Sequence, residues 1–247
     1  MLPETELIPA LVMEDLGSKR ILPMDHPVFS RRRPFRSAIS DEPRLPCVFV
    51  SPYGGERTAP LGLLWDKIAL SDLEKALAKS QSIQIEFLAA RSYVDLDEFA
   101  KAQKLATSLS AALSSEAQAY GKTVQGLIAL KRKDTNEAIR QITAANNLLD
   151  TWIGHYDLGR AYFEAGAFTE ADSEFDTCLK RKGEAIELFM DNVPTYAYFP
   201  PVYYYEGRAR EGLKNQGFAD FYRTYLGIRG QSTEDPLAAD ARHRIGL

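Results

Sequence analysis

A chain of 247 residues with 45% hydrophobic and 26% charged content has enough apolar surface for one large domain or two small ones. Its net charge of −4 is small and evenly mixed, without the basic excess or basic face that nucleic-acid binding asks for. The longest uncharged run, Asn192 to Tyr205, is 14 residues long with three prolines, short of the ~20 apolar residues of a membrane helix, so no membrane insertion is expected.

The chain starts Met1-Leu2-Pro3-Glu4-Thr5-Glu6, acidic and without a cationic head before an apolar stretch, which is not the pattern of a secretory signal. Cys47 and Cys178 are far apart and imply no disulfide framework, so a cytoplasmic location is expected. Nine of the 13 prolines fall in residues 1–60, and each removes a backbone donor and biases its predecessor away from helix. That region is expected to be an irregular, proline-rich arm or small appendage. Leu7 to Met13 and Cys47 to Val50 are its apolar pieces, and Arg31-Arg32-Arg33 with Arg36 its basic run.

From about Leu61 the texture changes to alanine, leucine, lysine and glutamate, with apolar residues three and four apart, as in amphipathic helices. Ser71-Asp72-Leu73-Glu74 matches a capping box and predicts a helix through about Lys79. Further on, Ile153-Gly154-His155-Tyr156-Asp157-Leu158-Gly159-Arg160-Ala161-Tyr162 runs on to Gly166, Phe168, Ala171, Phe175 and Cys178. This segment resembles a tetratricopeptide repeat, with Leu158 and Gly159 at positions 7 and 8, Tyr162 at 11, Ala171 at 20 and Phe175 at 24. Small residues at 8 and 20 let two antiparallel helices approach, and large ones at 11 and 24 fill the space between repeats. Weaker copies start at Ile83 (Ala90, Tyr93, Ala102), Ala119 (Gly126, Ala129, Ala138) and Pro200 (Gly207, Ala219, and Tyr222 if the turn is one residue short).

The resemblance implies an all-α fold, a superhelix of about four helix pairs over residues 61–247. Repeats are expected near 83–116, 119–151, 152–185 and 200–232, with a capping helix at 236–245 introduced by Asp235-Pro236. Between the last two repeats lie Leu188 to Tyr196 and the aromatic run Tyr198, Phe199 and Tyr203 to Tyr205. Pro194, Pro200 and Pro201 are expected to force a loop there, and the rings to pack across the last repeats. With Gly207-Arg208-Ala209-Arg210 and Asp235-Pro236-Leu237, this stretch is similar to the C-terminal repeats of certain bacterial kinase or cyclase signalling proteins.

No pattern for catalysis or a cofactor is found. His26, His155 and His243 are scattered, no Cys or His pair has zinc-ligand spacing, and Gly54-Gly55 fits a turn. His155 and Cys178 are expected in structural roles. The remaining expectation is a non-catalytic scaffold that binds a protein or peptide, acidic ones included, in the groove lined by the first helix of each repeat. Positions 5 and 9 place Phe87 and Arg91, Thr123 and Leu127, Tyr156 and Arg160, and Tyr204 and Arg208 in that groove, and Tyr120 and Phe163 extend it. Aromatics give rigid contact and arginine a bidentate fork for carboxylates. The competing reading is that the arginines bridge to acidic neighbours such as Glu164 and Glu211. An accessory module of a larger signalling enzyme is the alternative function.

Overall fold

The computed structural model describes residues 70–186, 195, 198–229 and 235–247. The proline-rich arm with its apolar and basic pieces, His26, Cys47, Gly54-Gly55 and the stretch from Leu188 to Pro194 lie outside the described residues.

The described residues are all-helical. Residues 70–79 form α1, so Ser71 lies inside a helix already begun at Leu70 and is not its cap. There follow α2 (Ile83–Asp95), α3 (Phe99–Ala111), α4 (Ser115–Lys131), α5 (Thr135–Leu148), α6 (Trp152–Glu164), α7 (Phe168–Lys180), the short α8 (Lys182–Ile186), α9 (Phe199–Gly212), α10 (Phe218–Arg229) and α11 (Pro236–Arg244). Among these helices none is long and apolar enough to cross a membrane. Pro200 and Pro201, expected in a loop, sit in the first turn of α9, where a missing N–H leaves no bond unmade.

From α2 onward each helix packs on its neighbours in sequence, and α2, α4, α6 and α9 also touch one another in turn. The chain thus forms consecutive helix pairs, α2–α3, α4–α5, α6–α7 and α9–α10, closed by α11. Local chemistry starts the first helices of three pairs. Ser82, Ser114 and Thr151 are N-caps whose hydroxyls accept from the third residue onward, at 3.3, 3.2 and 3.1 Å.

The turn inside each pair is the same in all four. The first helix ends in a left-handed residue, at Asp97, Lys133, Gly166 and Lys214. At each, the next amide reaches back five residues to a carbonyl: Glu98 to Tyr93, Asp134 to Ala129, Ala167 to Tyr162 and Asn215 to Arg210. This is the Schellman arrangement, which satisfies carbonyls that a helix end would otherwise leave unpaired. Only one of the four positions is glycine, so three side chains accept a conformation that costs about 1 kcal/mol each.

Close approach within pairs depends on small residues. A Cβ on Gly159 would lie 2.6 Å from the Phe175 ring, one on Gly126 2.5 Å from Ile142 Cγ1, and one on Gly207 3.0 Å from Tyr222. In each case position 8 of the first helix faces the large residue of the second. Phe175, Ile142 and Tyr222 are themselves fully buried, so they have little room to give way. Trp152, also fully buried, is anchored by its Nε1–H donating to the Cys178 carbonyl at 2.9 Å. The aromatic run after Tyr198 packs: Phe199 and Tyr204 are buried, and Tyr205 stacks on Phe175 with centroids 5.9 Å apart.

Gly159→Leu should therefore destabilise the chain by at least about 2 kcal/mol in urea unfolding, through overpacking against Phe175. Gly183→Leu, where an added Cβ meets nothing within 4 Å, is the control and should change the midpoint little.

Candidate functional site

The first helices of the four pairs all line one pocket, and the side that bears it is the inner face. On α2, Phe87 is completely buried and stacks on Tyr120 of α4 with centroids 4.2 Å apart. Both rings are core and present no surface to a ligand. One turn after Phe87, Arg91 extends past α4 to Asp157 on α6 and pairs with both carboxylate oxygens, Nη2 to Oδ1 at 3.2 Å and Nη1 to Oδ2. Asp157 is fully buried and the Arg91 side chain is 5% exposed. The guanidinium carbon lies 4.8 Å from the centre of the Tyr198 ring and 5.4 Å from that of Phe87. Burial alone would weaken the Arg91 charge, but Asp157 and then Tyr198 outweigh it and hold the group protonated.

Arg160, one turn after Tyr156 on α6, stands between two rings, 5.6 Å from the Tyr156 centroid and 5.7 Å from that of Tyr205. Tyr156 is buried, whereas the Arg160 side chain keeps 24% of its exposure. Burial opposes the Arg160 charge and the surroundings of Tyr205, Tyr156 and Asp157 favour it, with a net upward shift. Arg91, Arg160, Leu127, Tyr198 and Tyr205 meet around one pocket of about 300 Å³, against which Leu237 at the start of α11 also lies. Asp95 of α2 joins them, its carboxyl pushed up by burial against the pull of Arg91, Arg160 and Lys131.

The remaining expected groove residues lie elsewhere or inside. Thr123 is buried and returns its hydroxyl to the Ala119 carbonyl at 3.0 Å. Tyr204 is buried and donates to Asp240 of α11 at 2.7 Å. Arg208 donates to the Tyr204 hydroxyl at 2.9 Å, and its guanidinium lies 5.0 Å from the Phe163 ring centre. Phe163 and Arg208 line a second, smaller recess of about 200 Å³ with Glu211 and Arg244. Arg208 Nε is 3.8 Å from Glu211, while Arg160 is 3.7 Å from Asp157 and Glu164 pairs instead with Lys133 at 2.9 Å. Among the described residues these are two separate recesses. Arg160 serves the central one and Arg208 the other, while Arg91 is committed to an internal partner.

Asp95, Asp157, Tyr198, Tyr205 and Leu237 were not among the expected groove residues. Asp157 carried one signal, a charge between Tyr156 and Leu158 on a face that is otherwise apolar, but its partner is 66 residues away. No protein-family model matches the chain, and no curated protein matches it.

On the far side of α6, His155 occupies the structural role expected of it. Its Nδ1 lies 2.5 Å from Glu174 and its Nε2 2.8 Å from Asp150, and Asp150 also accepts from Arg181 at 2.6 Å. A neutral imidazole has one N–H, so only the imidazolium can donate to both carboxylates. Hydrogen bonding to Glu174, against burial, raises the His155 pKa above the ordinary 6.5. The sign follows: the contribution is full below pH ~6.5 and is lost as pH rises through the higher folded value. The unfolding midpoint of the native chain should fall between pH 6 and pH 9 by more than that of His155→Gln, as followed by circular dichroism in urea.

Proposed function

We propose that this chain is a non-catalytic interaction module of the tetratricopeptide type, working in the cytoplasm, whose inner face holds a partner protein or peptide through its acidic side chains. The family reading is supported by the four equivalent turns, by the small-against-large contacts at Gly126, Gly159 and Gly207, and by touching first helices. Four stacked pairs closed by a further helix are what such an array needs, because each unit buries its apolar face only against its neighbours.

The observation that carries the binding role is Arg160. Its guanidinium is flanked by two tyrosine rings at the edge of an open pocket, and its nearest carboxylate, at 3.7 Å, is beyond hydrogen-bond distance. A partner carboxylate would find that fork free of hydrogen bonds and held between the rings, and Arg208 with Phe163 would offer a second contact. A short peptide held in this way would bind in the micromolar range, about −8 kcal/mol. The similarity of the last repeats to those of kinase and cyclase signalling proteins makes an accessory module of a larger enzyme the second reading, and the same face would serve there.

Partners recovered by the native chain from its own cell lysate should be lost at least about tenfold by Arg160→Ala with Arg208→Ala, and should fall off with added salt. The melting temperature of that variant should stay within a few degrees of the native value. Unchanged recovery by a folded double variant would refute the groove, and a large drop in melting temperature would give both arginines to the fold instead.

A further inference from the structure

Six charged side chains line the central pocket, and most of them are paired within the protein. Arg91 is bound to the buried Asp157. Lys131 lies 3.6 Å from Asp97, and Lys133 and Glu164 pair with each other at 2.9 Å. Two groups of opposite sign remain. Among the described residues Asp95 makes no hydrogen bond and no ion pair within 4.0 Å, and Arg160 makes no hydrogen bond, only a loose ion pair with Asp157 at 3.7 Å. They come from different helices, α2 and α6, and both face the pocket. The same pocket is lined by the apolar Val94, Leu127 and Leu130 and by Leu237 of α11.

A simple anion drawn to Arg160 would be repelled by Asp95, and a simple amine drawn to Asp95 would be repelled by Arg160. A ligand carrying both charges a short distance apart satisfies the two at once. The volume of about 300 Å³ stands at the small end of the ~300–1,000 Å³ range of ligand pockets, which suits a compact molecule better than an extended chain of several residues. We propose that the central pocket binds a free amino acid, its carboxylate on the fork of Arg160, its ammonium on Asp95 and its side chain against Leu127 and Leu130. The upward shift that burial imposes on the Asp95 carboxyl is what an incoming ammonium would reverse. Because the pocket joins α2, α4, α6 and α11, such a ligand would bridge the first pair to the end of the array. This inference goes beyond the peptide-binding reading and does not depend on it, since small molecules alone test it.

The experiment is thermal unfolding of the full 247-residue chain with each of the common amino acids in turn, followed by calorimetry on those that act. At least one should raise the midpoint by about 5 °C when present at about 100 times its Kd. The N-acetyl and the carboxamide derivatives of that amino acid, each lacking one charge, should bind at least about tenfold more weakly to the native chain. Asp95→Asn and Arg160→Gln should each lose affinity to the same extent, while Glu137→Gln with Arg140→Gln, an exposed pair on α5 outside the pocket, should keep it. No shift with any amino acid overturns the proposal. So does binding that survives undiminished when either end of the ligand is capped, or in both Asp95→Asn and Arg160→Gln, because the ligand would then lie elsewhere. Failure of partner recovery in the lysate experiment leaves these outcomes unaffected.

Discussion

The inner face of this molecule is organised by one interaction, the buried pair between Arg91 of α2 and Asp157 of α6. Two ions removed from water each lose several kcal/mol of hydration, and their mutual attraction offsets that loss only when geometry and hydrogen bonding are good. Here the carboxylate is fully enclosed, the contact is two-pronged, and the flat guanidinium lies against the rings of Phe87 and Tyr198. The consequence is architectural. A side chain of the first pair is tied to the third, and α2 and α6 line one pocket. Asp95 and Arg160 stand in that pocket together because of it, as neighbours of the two clamped residues on the same helices.

Around that clamp the pairs are built by a common rule of small against large. Gly159 admits the ring of Phe175, Gly207 that of Tyr222 and Gly126 the side chain of Ile142. Left-handed turns of one hydrogen-bond pattern then return the chain, whatever residue occupies them. The last pair departs from the regular spacing because α8 and the residues before Tyr198 intervene. Those residues contribute Tyr198 to the clamp, and α9 contributes Tyr205 to the pocket wall. The polar end of the array is a second network, in which Tyr204, Arg208, Asp240 and Arg244 join α9 to α11. A buried carboxyl near it, Glu206, is pushed up to about 8 by burial and by Asp172, in spite of its contact with Arg210.

Much of this was legible in the residues. Leu158, Gly159, Tyr162 and Phe175 carry enough of the pattern to expect paired helices, because close approach at one position and bulk at another follow directly from side-chain size. The turns at Asp97, Lys133 and Lys214 were not legible. A left-handed residue without glycine has no local signature, and only Gly166 displayed the requirement openly. Alanine-rich helices also give little phase information, and α4 begins at Ser115, ahead of the Ala119 start that the template suggested. For the site, the aromatic-to-arginine spacing carried no information on depth. Phe87, Tyr120, Tyr156 and Tyr204 were absorbed by packing, which depends on contacts between residues far apart in the chain. The spacing treated Arg91 and Arg160 as equivalent, yet Asp157 hydrogen-bonds the first and only loosely pairs with the second.

A double-mutant cycle on Arg91 and Asp157, using Arg91→Met, Asp157→Leu and the pair together in urea unfolding, tests this account most directly. If the clamp shapes the inner face, each single variant strands a buried charge and loses about 3–5 kcal/mol, and the double variant recovers much of that loss, for a coupling of at least about 2 kcal/mol. Single losses that simply add in the double variant would mean that the two side chains do not meet in solution, and the shared pocket beside them would fall with the pair.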